Sequence, residues 1–375
     1  MLAAILVLGM GEELWARFVP KYLELLGAGI WGVALYGTIK DLLDAVYQYP
    51  GGWLSDRLGP RKALVLFTLL ASLGYIIYLI SSNWIVFLAG TLFVMAWSSL
   101  TLPAMFSVIG ESLPENRRAI GFGVQSIWKR IPIILAPAIG GWLVTRFGLI
   151  SGMKTGFACS IALAGIGIAI LVRFYREKPP LAKDSIGFRE IWTGMDANLK
   201  RLLVADCLAR WAEGIPKVFV VLYTINVLRA GADQFGWLTS LQMLTAVLVY
   251  IPIAKLSDRM NRKPVVLLTF AFFAMFPLAL SNAVNPTLLV LAFVVAGLRE
   301  VGEPARKALI VDLAPASARA RSVGVYYLIR GLVVFPASLV GGWLWKMDPR
   351  FPFYAAFAVG VIGCISYALW GRRSN

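Results

Sequence analysis

The sequence contains no histidine and only three cysteines among 375 residues, and only 15% of its residues are charged. A soluble domain has about 25% charged residues, so the low charge argues against a cytosolic enzyme. The cysteines are too scattered for a disulfide framework or a metal site. Nucleophile–base sets, metal-ligand spacings and Walker-type glycine loops are also missing. We therefore expect neither an enzyme nor an ATP-driven pump, and no cofactor; any proton chemistry must use carboxylates.

Long apolar runs dominate what is present: hydrophobic residues make up 59% of the chain. A membrane-crossing helix needs about 20 mostly apolar residues. Twelve such segments are found, and we number them spans 1 to 12. They lie near residues 2–26, 31–54, 63–81, 84–110, 119–144, 151–173, 199–228, 234–256, 264–281, 286–311, 320–345 and 352–370. The pattern predicts a multi-pass integral membrane protein.

One polar segment divides the spans into two sets of six. It contains Pro179 and Pro180 together with mixed charges, which is typical of a linker. We predict an N-terminal six-helix bundle at 1–173, a cytoplasmic linker at 174–198 and a C-terminal six-helix bundle at 199–375. We also expect the protein to work as a monomer.

The net charge of +16 could suggest a nucleic-acid partner. The basic residues, however, lie mostly in short loops between apolar runs, so we expect no nucleic acid to bind. Most loop lysines and arginines fall on one side when both termini are placed there. The positive-inside rule then makes the termini and linker cytoplasmic. A bacterial inner membrane is the expected location.

The two halves repeat each other at an offset of about 200 residues. Trp15-Ala16 matches Trp211-Ala212, and Gly140-Gly141-Trp142-Leu143 matches Gly341-Gly342-Trp343-Leu344. Leu54-Ser55-Asp56-Arg57 likewise matches Leu256-Ser257-Asp258-Arg259. Parallel repeats of this kind occur in transporters whose substrate site lies between the halves, near the membrane midplane.

The loop between spans 2 and 3 resembles the signature loop of the major facilitator superfamily. It reads Gly-Trp-Leu-Ser-Asp-Arg-Leu-Gly-Pro-Arg-Lys at 52–62, and a second copy occupies 254–263. Pro60, Ala254 and Asn261 depart from the family pattern. The resemblance implies an all-α membrane fold: twelve transmembrane helices in two pseudo-symmetric six-helix bundles. It also implies alternating-access transport of a small molecule across the lipid bilayer.

In that family the two loops brace the halves on the cytoplasmic side. Acidic residues can pair with neighbouring arginines and cap facing helices there. The resemblance assigns this brace to Asp56, Arg57, Arg61, Glu111, Asp258, Arg259, Arg262 and Asp312. The alternative is that these charges only anchor the helices at the membrane surface.

Seventeen ionisable residues fall inside the apolar spans, where a central charge facing lipid costs roughly 2.5–3.5 kcal/mol. They must face water, substrate or one another. Candidate substrate-binding residues are Arg17, Lys21, Trp97, Gln125, Lys129, Arg130, Arg210, Lys217, Arg299, Tyr326 and Arg330. The alternative is internal salt bridging, which the helical spacing of Glu13 with Arg17 and of Lys40 with Asp44 would allow.

Proton coupling would need a carboxylate inside a span. The candidates are Asp44, Glu13, Asp206 and Glu300. Asp44 is favoured because Ala246 stands at the corresponding place in span 8.

Three functions remain open from the sequence. The favoured one is proton-coupled export of a drug or metabolite, on a glycine–proline pattern in span 5 that weakly resembles exporters of the family. The second is a carrier of small organic anions, on the in-span bases Lys21 with Lys217 and Lys129 with Arg330. The third, of a different class, is a non-transporting membrane receptor on the same fold.

Overall fold

The computed structural model describes residues 2–100, 118–174, 192–259, 262–313 and 319–371. These residues are almost entirely helical, and the described ranges contain no β-strand. The predicted all-α class is therefore confirmed.

Spans 1 to 6 contain eight described α-helices. They run Leu2–Glu13, Val19–Leu25, Gly29–Val46, Gln48–Leu58, Pro60–Ile80, Trp84–Met95, Arg118–Phe147 and Leu149–Phe174. A 3-10 turn lies at Ala16–Phe18 and a π-helical turn at Ala96–Leu100.

Spans 7 to 12 are built in the same way. Their described α-helices run Ala197–Gly214, Phe219–Leu222, Ala232–Arg259, Arg262–Ser281, Pro286–Leu298, Glu303–Asp312, Arg319–Val334, Ala337–Met347 and Phe351–Gly371. A π-helical turn lies at Tyr223–Val227.

Six described helices are long and apolar enough to cross a membrane. They lie at Arg61–Ile80, Trp128–Phe147, Leu149–Phe174, Lys263–Ser281, Ser322–Met347 and Phe351–Leu369. Two shorter apolar helices, Trp84–Leu100 and Pro286–Leu298, continue the pattern. Spans 1 and 7 are interrupted by turns at 14–18 and 215–218, and both carry charged residues. The protein is thus an integral, multi-pass membrane protein.

The chain forms two compact units. Unit 1 comprises Met1–Lys183 and Arg229–Ser240, and unit 2 comprises Asp184–Leu228 and Leu241–Asn375, as far as these residues are described. The predicted boundaries of the N-terminal bundle at 1–173, the linker at 174–198 and the C-terminal bundle at 199–375 remain a prediction. Residues 175–191 of the linker lie outside the described residues.

Aromatic rings fill the core of unit 1. Tyr78 stacks on Phe87 with ring centroids 3.7 Å apart, and Trp15 meets Phe157 edge to face at 5.3 Å. The buried Trp15 indole donates a hydrogen bond of 2.8 Å to Ser160 Oγ. This bond satisfies the polar end of the ring inside an apolar core.

The start of span 8 packs within unit 1. Phe18 and Phe235 meet edge to face with centroids 5.5 Å apart. The Asp233 backbone amide donates to Thr145 Oγ1 at 3.2 Å. Gly236 lies so close to the Pro137 carbonyl oxygen that an added Cβ would collide with it. Residues 229–240 therefore belong structurally to unit 1 although they follow span 7 in sequence.

A core cluster of unit 2 combines aliphatic and aromatic side chains. Leu199 and Leu203 of span 7 pack with Phe270 and Phe273 of span 9 and with Ile310 of span 10. These side chains are buried, and the cluster continues onto Tyr326 of span 11. Spans 7, 9, 10 and 11 are thereby held in fixed relation around the charged residues described below.

Two glycines show the register of the internal repeat. Gly140 of span 5 lies directly against the Leu14 carbonyl oxygen, and Gly341 of span 11 lies against the Ile215 carbonyl oxygen. Both carbonyls open the turn that interrupts their span. Gly140 and Gly341 are 201 positions apart, as are Leu14 and Ile215. Spans 1 and 7 therefore correspond at an offset of 201, five more than the Trp15–Trp211 sequence match indicates.

Candidate functional site

Asp206 of span 7 is the centre of a buried charged group in unit 2. Its side chain is fully buried. Its carboxylate forms an ion pair with Arg306 of span 10 and accepts hydrogen bonds from Tyr326 and Arg330 of span 11. The Tyr326 hydroxyl lies 3.0 Å away and Arg330 Nη1 3.2 Å away. Arg210, one turn further along span 7, places its Nε 4.0 Å from the same carboxylate.

Glu303 joins this group from span 10. It pairs with Arg306 on its own helix and with Arg210 Nη2 at 3.4 Å across the interior of unit 2. Lys307 Nζ lies 3.4 Å from its other oxygen, on the more exposed side. Arg306 therefore lies between two carboxylates, which offsets the desolvation of its guanidinium.

Glu213 extends the group along span 7. It accepts a hydrogen bond of 2.7 Å from Arg210 Nη1 and lies 3.8 Å from Arg299 Nη1 of span 10. We call the combined set the arginine cluster. It consists of Asp206, Arg210, Glu213, Arg299, Glu303, Arg306, Tyr326 and Arg330. Four guanidinium groups meet three carboxylates in it, which leaves a surplus of one positive charge.

Aromatic faces support three of these arginines. The Arg299 guanidinium lies 4.7 Å from the centre of the Phe276 ring, and Arg330 lies 4.5 Å from that of Tyr327. Arg210 lies 5.1 Å from the centre of Phe273. A guanidinium over an aromatic face gains electrostatic attraction when water is excluded. The rings thus fix the orientation of the cationic side chains.

Unit 1 carries its charges as smaller groups. Arg17 Nε lies 3.4 Å from Glu13, and Lys21 Nζ lies 2.6 Å from Glu24. Both are short-range pairs within span 1. The Glu13–Arg17 pairing is the internal salt bridge that the sequence left open as an alternative to substrate contact.

Asp44 in span 2 has a different environment. Its carboxylate accepts a hydrogen bond of 2.9 Å from the buried Ser99 hydroxyl in the π-helical turn of span 4. The Asp44 side chain is otherwise exposed, in contrast to Asp206. The Ser99 hydroxyl is a neutral donor to Asp44, whereas three arginines offset the charge of Asp206. Asp44 is therefore open to water or a solute in a way that Asp206 is not.

The other predicted site residues are placed as follows. Lys129 and Lys217 are exposed, Arg130 and Glu300 are half-buried, and Trp97 is buried. In the predicted brace, the Arg57 guanidinium lies over the Trp53 ring, and Arg61 Nη2 donates to the Val172 carbonyl oxygen. Glu111 lies outside the described residues. The side chains of six further predicted residues are not described: Asp56, Gln125, Asp258, Arg259, Arg262 and Asp312.

The sequence prediction missed three members of the arginine cluster. Glu213, Glu303 and Arg306 were not among the candidate site residues, although each lies in an apolar span and is three or four residues from another charged member of the cluster. Arg330 was favoured for substrate contact because no acid is near it in sequence. Its partner Asp206 is 124 positions away, so only the packing of span 7 against span 11 reveals the pair.

The family model of the Major Facilitator Superfamily matches residues 1–211 and 202–375. An all-helical membrane protein with two repeated halves fits this match. The chain belongs to the major facilitator superfamily, and it is a transporter of small molecules rather than an enzyme. The predicted fold, two six-helix bundles in the membrane, is confirmed.

Similar proteins agree with this family. An uncharacterized MFS-type transporter of Methanocaldococcus jannaschii is 24% identical over 94% of this chain and 89% of its own length. The multidrug resistance protein MdtH of Photorhabdus laumondii is 25% identical over 94% of this chain and 88% of its own.

Solved structures share the fold at lower identity. A bacterial homolog of the human lysosomal transporter Spinster has a TM-score of 0.80 at 15% identity, covering 99% of this chain and 95% of that one. The nucleoside transporter NupG has a TM-score of 0.80 at 12% identity, covering 98% of both chains. These similarities define the fold and leave the substrate open.

Proposed function

We propose that this protein is a proton-coupled antiporter that exports a drug-like or metabolic organic solute by alternating access. It would act as a monomer in a bacterial inner membrane with both termini in the cytoplasm, and without a nucleic-acid partner. The observation that carries the proposal is the exposed carboxylate of Asp44 in span 2, which accepts a hydrogen bond from the Ser99 hydroxyl.

The four predicted proton-coupling carboxylates differ in their partners. Asp206 is surrounded by arginines, and an arginine stays protonated throughout the physiological range. Glu13 is paired with Arg17, and Glu300 is half-buried on span 10. Asp44 combines exposure with a neutral hydrogen-bond partner. It is therefore the candidate that can exchange a proton without breaking an ion pair with arginine.

Similar proteins support the export direction. Relatives named multidrug resistance protein MdtH match more than nine-tenths of this chain. A protein named as a Na(+), Li(+), K(+)/H(+) antiporter of Planococcus maritimus is 27% identical over 45% of this chain. The first name refers to drug resistance and the second to exchange of cations for protons, and we take both as support for proton-coupled export by this chain.

The test uses the full-length protein in liposomes, with ethidium as a lipophilic cationic probe and an imposed pH gradient. We expect the gradient to drive ethidium transport, and Asp44→Asn to lose most of that dependence because its side chain no longer binds a proton. Asp348→Asn is the control, since that carboxylate lies in a loop and accepts from the Arg350 amide. Gradient-driven transport that survives Asp44→Asn would overturn the role of Asp44.

A carrier of small organic anions is the second candidate. The surplus positive charge of the arginine cluster favours it, because a carboxylate or phosphate group can bind guanidinium groups by two parallel hydrogen bonds. Thermal stability of the purified protein distinguishes the two. Stabilisation by organic anions that disappears in Arg330→Gln would favour the anion carrier, and stabilisation by lipophilic cations that disappears in Asp44→Asn would favour the exporter.

A further inference from the structure

Glu12 was not among the predicted proton-coupling residues, and its surroundings are unusual. It lies in the last turn of Leu2–Glu13, directly before the interruption of span 1, and is half-buried. Within the described ranges its carboxylate forms no hydrogen bond and no ion pair. A partly desolvated carboxylate without a donor is costly to keep charged.

Charged and titratable groups from three neighbouring spans lie near Glu12. Lys40 and Asp44 of span 2 and Lys129 of span 5 act on it electrostatically, as does Glu13 on its own helix. Tyr75 and Tyr78 of span 3 also interact electrostatically with the Glu12 carboxylate. Setting aside Glu13, which is paired with Arg17, two carboxylates and two lysines remain. Their charges cancel when both carboxylates are ionised.

The repeat supplies an internal reference for this position. At the offset of 201 set by the paired glycines, Glu12 corresponds to Glu213. Glu213 is tied to Arg210 and Arg299. The residues that correspond to these arginines in unit 1 are Gly9 and Ser98, which carry no charge. The same backbone position thus holds a permanently paired carboxylate in unit 2 and one without an arginine in unit 1.

We infer that Glu12 is the carboxylate on which the exchanged proton rests, and that Asp44 is the water-exposed group through which it enters. In the transfer step the Asp44 carboxyl gives its proton to the Glu12 carboxylate, so Asp44 becomes ionised and Glu12 neutral. Lys40 and Lys129 keep their protons and offset the remaining charge. This inference rests on the proposed proton-coupled function and names a second residue for it.

Infrared difference spectra of the purified full-length protein between acidic and alkaline pH test the inference without a substrate. A protonated carboxyl group gives a carbonyl band that disappears on ionisation. We expect Glu12→Gln to remove a pH-dependent carbonyl band that wild-type protein shows. Glu213→Gln, the matched variant of unit 2, should keep it, and Asp44→Asn should keep it with a shifted midpoint.

A band that persists in Glu12→Gln, or that Glu213→Gln removes equally, would overturn the inference. Should Glu12→Gln fail to fold, Glu12→Asp keeps a carboxylate on a shorter side chain. Its band should remain with a changed midpoint, and an unchanged midpoint would contradict the assignment. Ethidium transport separates this from the proposed function: a wild-type protein with the Glu12 band but no gradient-driven transport would refute the exporter and retain the proton site.

Discussion

The two units have a repeated backbone, but their ionisable side chains are arranged differently. Unit 2 gathers seven ionisable side chains from spans 7, 10 and 11 into one connected network around Asp206. Unit 1 has short pairs within span 1, an exposed Asp44, and an aromatic core where Trp15 and Tyr78 meet. The repeat therefore preserves helix breaks and close helix contacts, while the polar interior of each unit is independent of the other.

Corresponding positions show how far this divergence goes. Asp206 corresponds at the offset of 201 to Ile5, a buried apolar residue, and Arg306 corresponds to Met105. Lys129 and Arg330 keep the same charge. The fold of a unit thus does not require the ion network, which is consistent with a role in binding or in holding one conformation.

The largest expected effect comes from removing the centre of the network. Asp206→Ala leaves buried arginines without their shared carboxylate, and loss of one partner of a buried ion pair costs about 3–5 kcal/mol. We expect a large drop in thermal stability of the detergent-purified protein. Asp44→Ala removes an exposed carboxylate of unit 1 for comparison, and it should change stability little because that side chain is exposed.

A double variant sharpens this prediction. Asp206→Leu combined with Arg306→Met removes both charges together and leaves Glu303 with Arg210 and Lys307. It should recover part of the stability lost in Asp206→Ala, since a buried pair replaced by apolar groups is often neutral. Equal melting temperatures of Asp206→Ala and wild type would show that the network contributes nothing to stability.

The second effect tests what the units have in common. Gly140→Ala and Gly341→Ala each drive a methyl group into a carbonyl oxygen of the neighbouring span. Overpacking of this kind costs about 1–3 kcal/mol, and we expect both variants to lose stability to a similar extent. Thermal unfolding measures it. Gly165→Ala and Gly324→Ala are the controls, because no atom beyond the local helix backbone lies within 4 Å of the added methyl.

Comparing the stability losses of Gly140→Ala and Gly341→Ala shows whether the helix contacts at the two span breaks are equivalent. If only one of the two glycine variants is destabilised, the contacts at the span breaks are not equivalent, and the offset of 201 loses its structural basis. The assignment of Glu12 opposite Glu213 would then have to be withdrawn.

The third effect, equal to the second or smaller, concerns the tryptophans that the sequence repeat pairs. The Trp15 indole donates to the buried Ser160 hydroxyl, whereas Trp211 donates to the Val333 carbonyl on an exposed surface. Trp15→Phe should cost about 1–3 kcal/mol because a buried acceptor loses its donor, and Trp211→Phe only about 0.5–1.5 kcal/mol. Reversed losses in thermal unfolding would show that the aromatic core of unit 1 adapts to the missing donor.

Much of the fold followed from the sequence. Apolar runs and the duplicated loop were sufficient for the helical class, the membrane location and the family. The register of span 1 against span 7 could not be predicted from the sequence. The sequence match pairs Trp15 with Trp211, whereas the register is fixed by glycine contacts that only the structure shows. Sequence similarity and spatial equivalence differ there by five residues.

The candidate site followed only in part. Asp206, Arg210, Tyr326 and Arg330 were singled out as charged or polar residues in apolar spans, and the structure brings them together. Their roles could not be assigned from spacing along a helix, because the pair Asp206–Arg330 joins different spans. Glu12 was not chosen because the offset of 201, which aligns it with Glu213 and aligns Gly9 and Ser98 with arginines, follows only from the glycine contacts.

Residues 229–240 have a consequence for the order of synthesis. The ribosome makes the chain from its N-terminus, yet unit 1 includes the start of span 8, where Phe235 packs on Phe18 and Asp233 meets Thr145. These contacts can therefore form only after span 7 and residues 229–240 have been synthesised. The set of contacts within unit 1 is completed later in translation than the end of span 6.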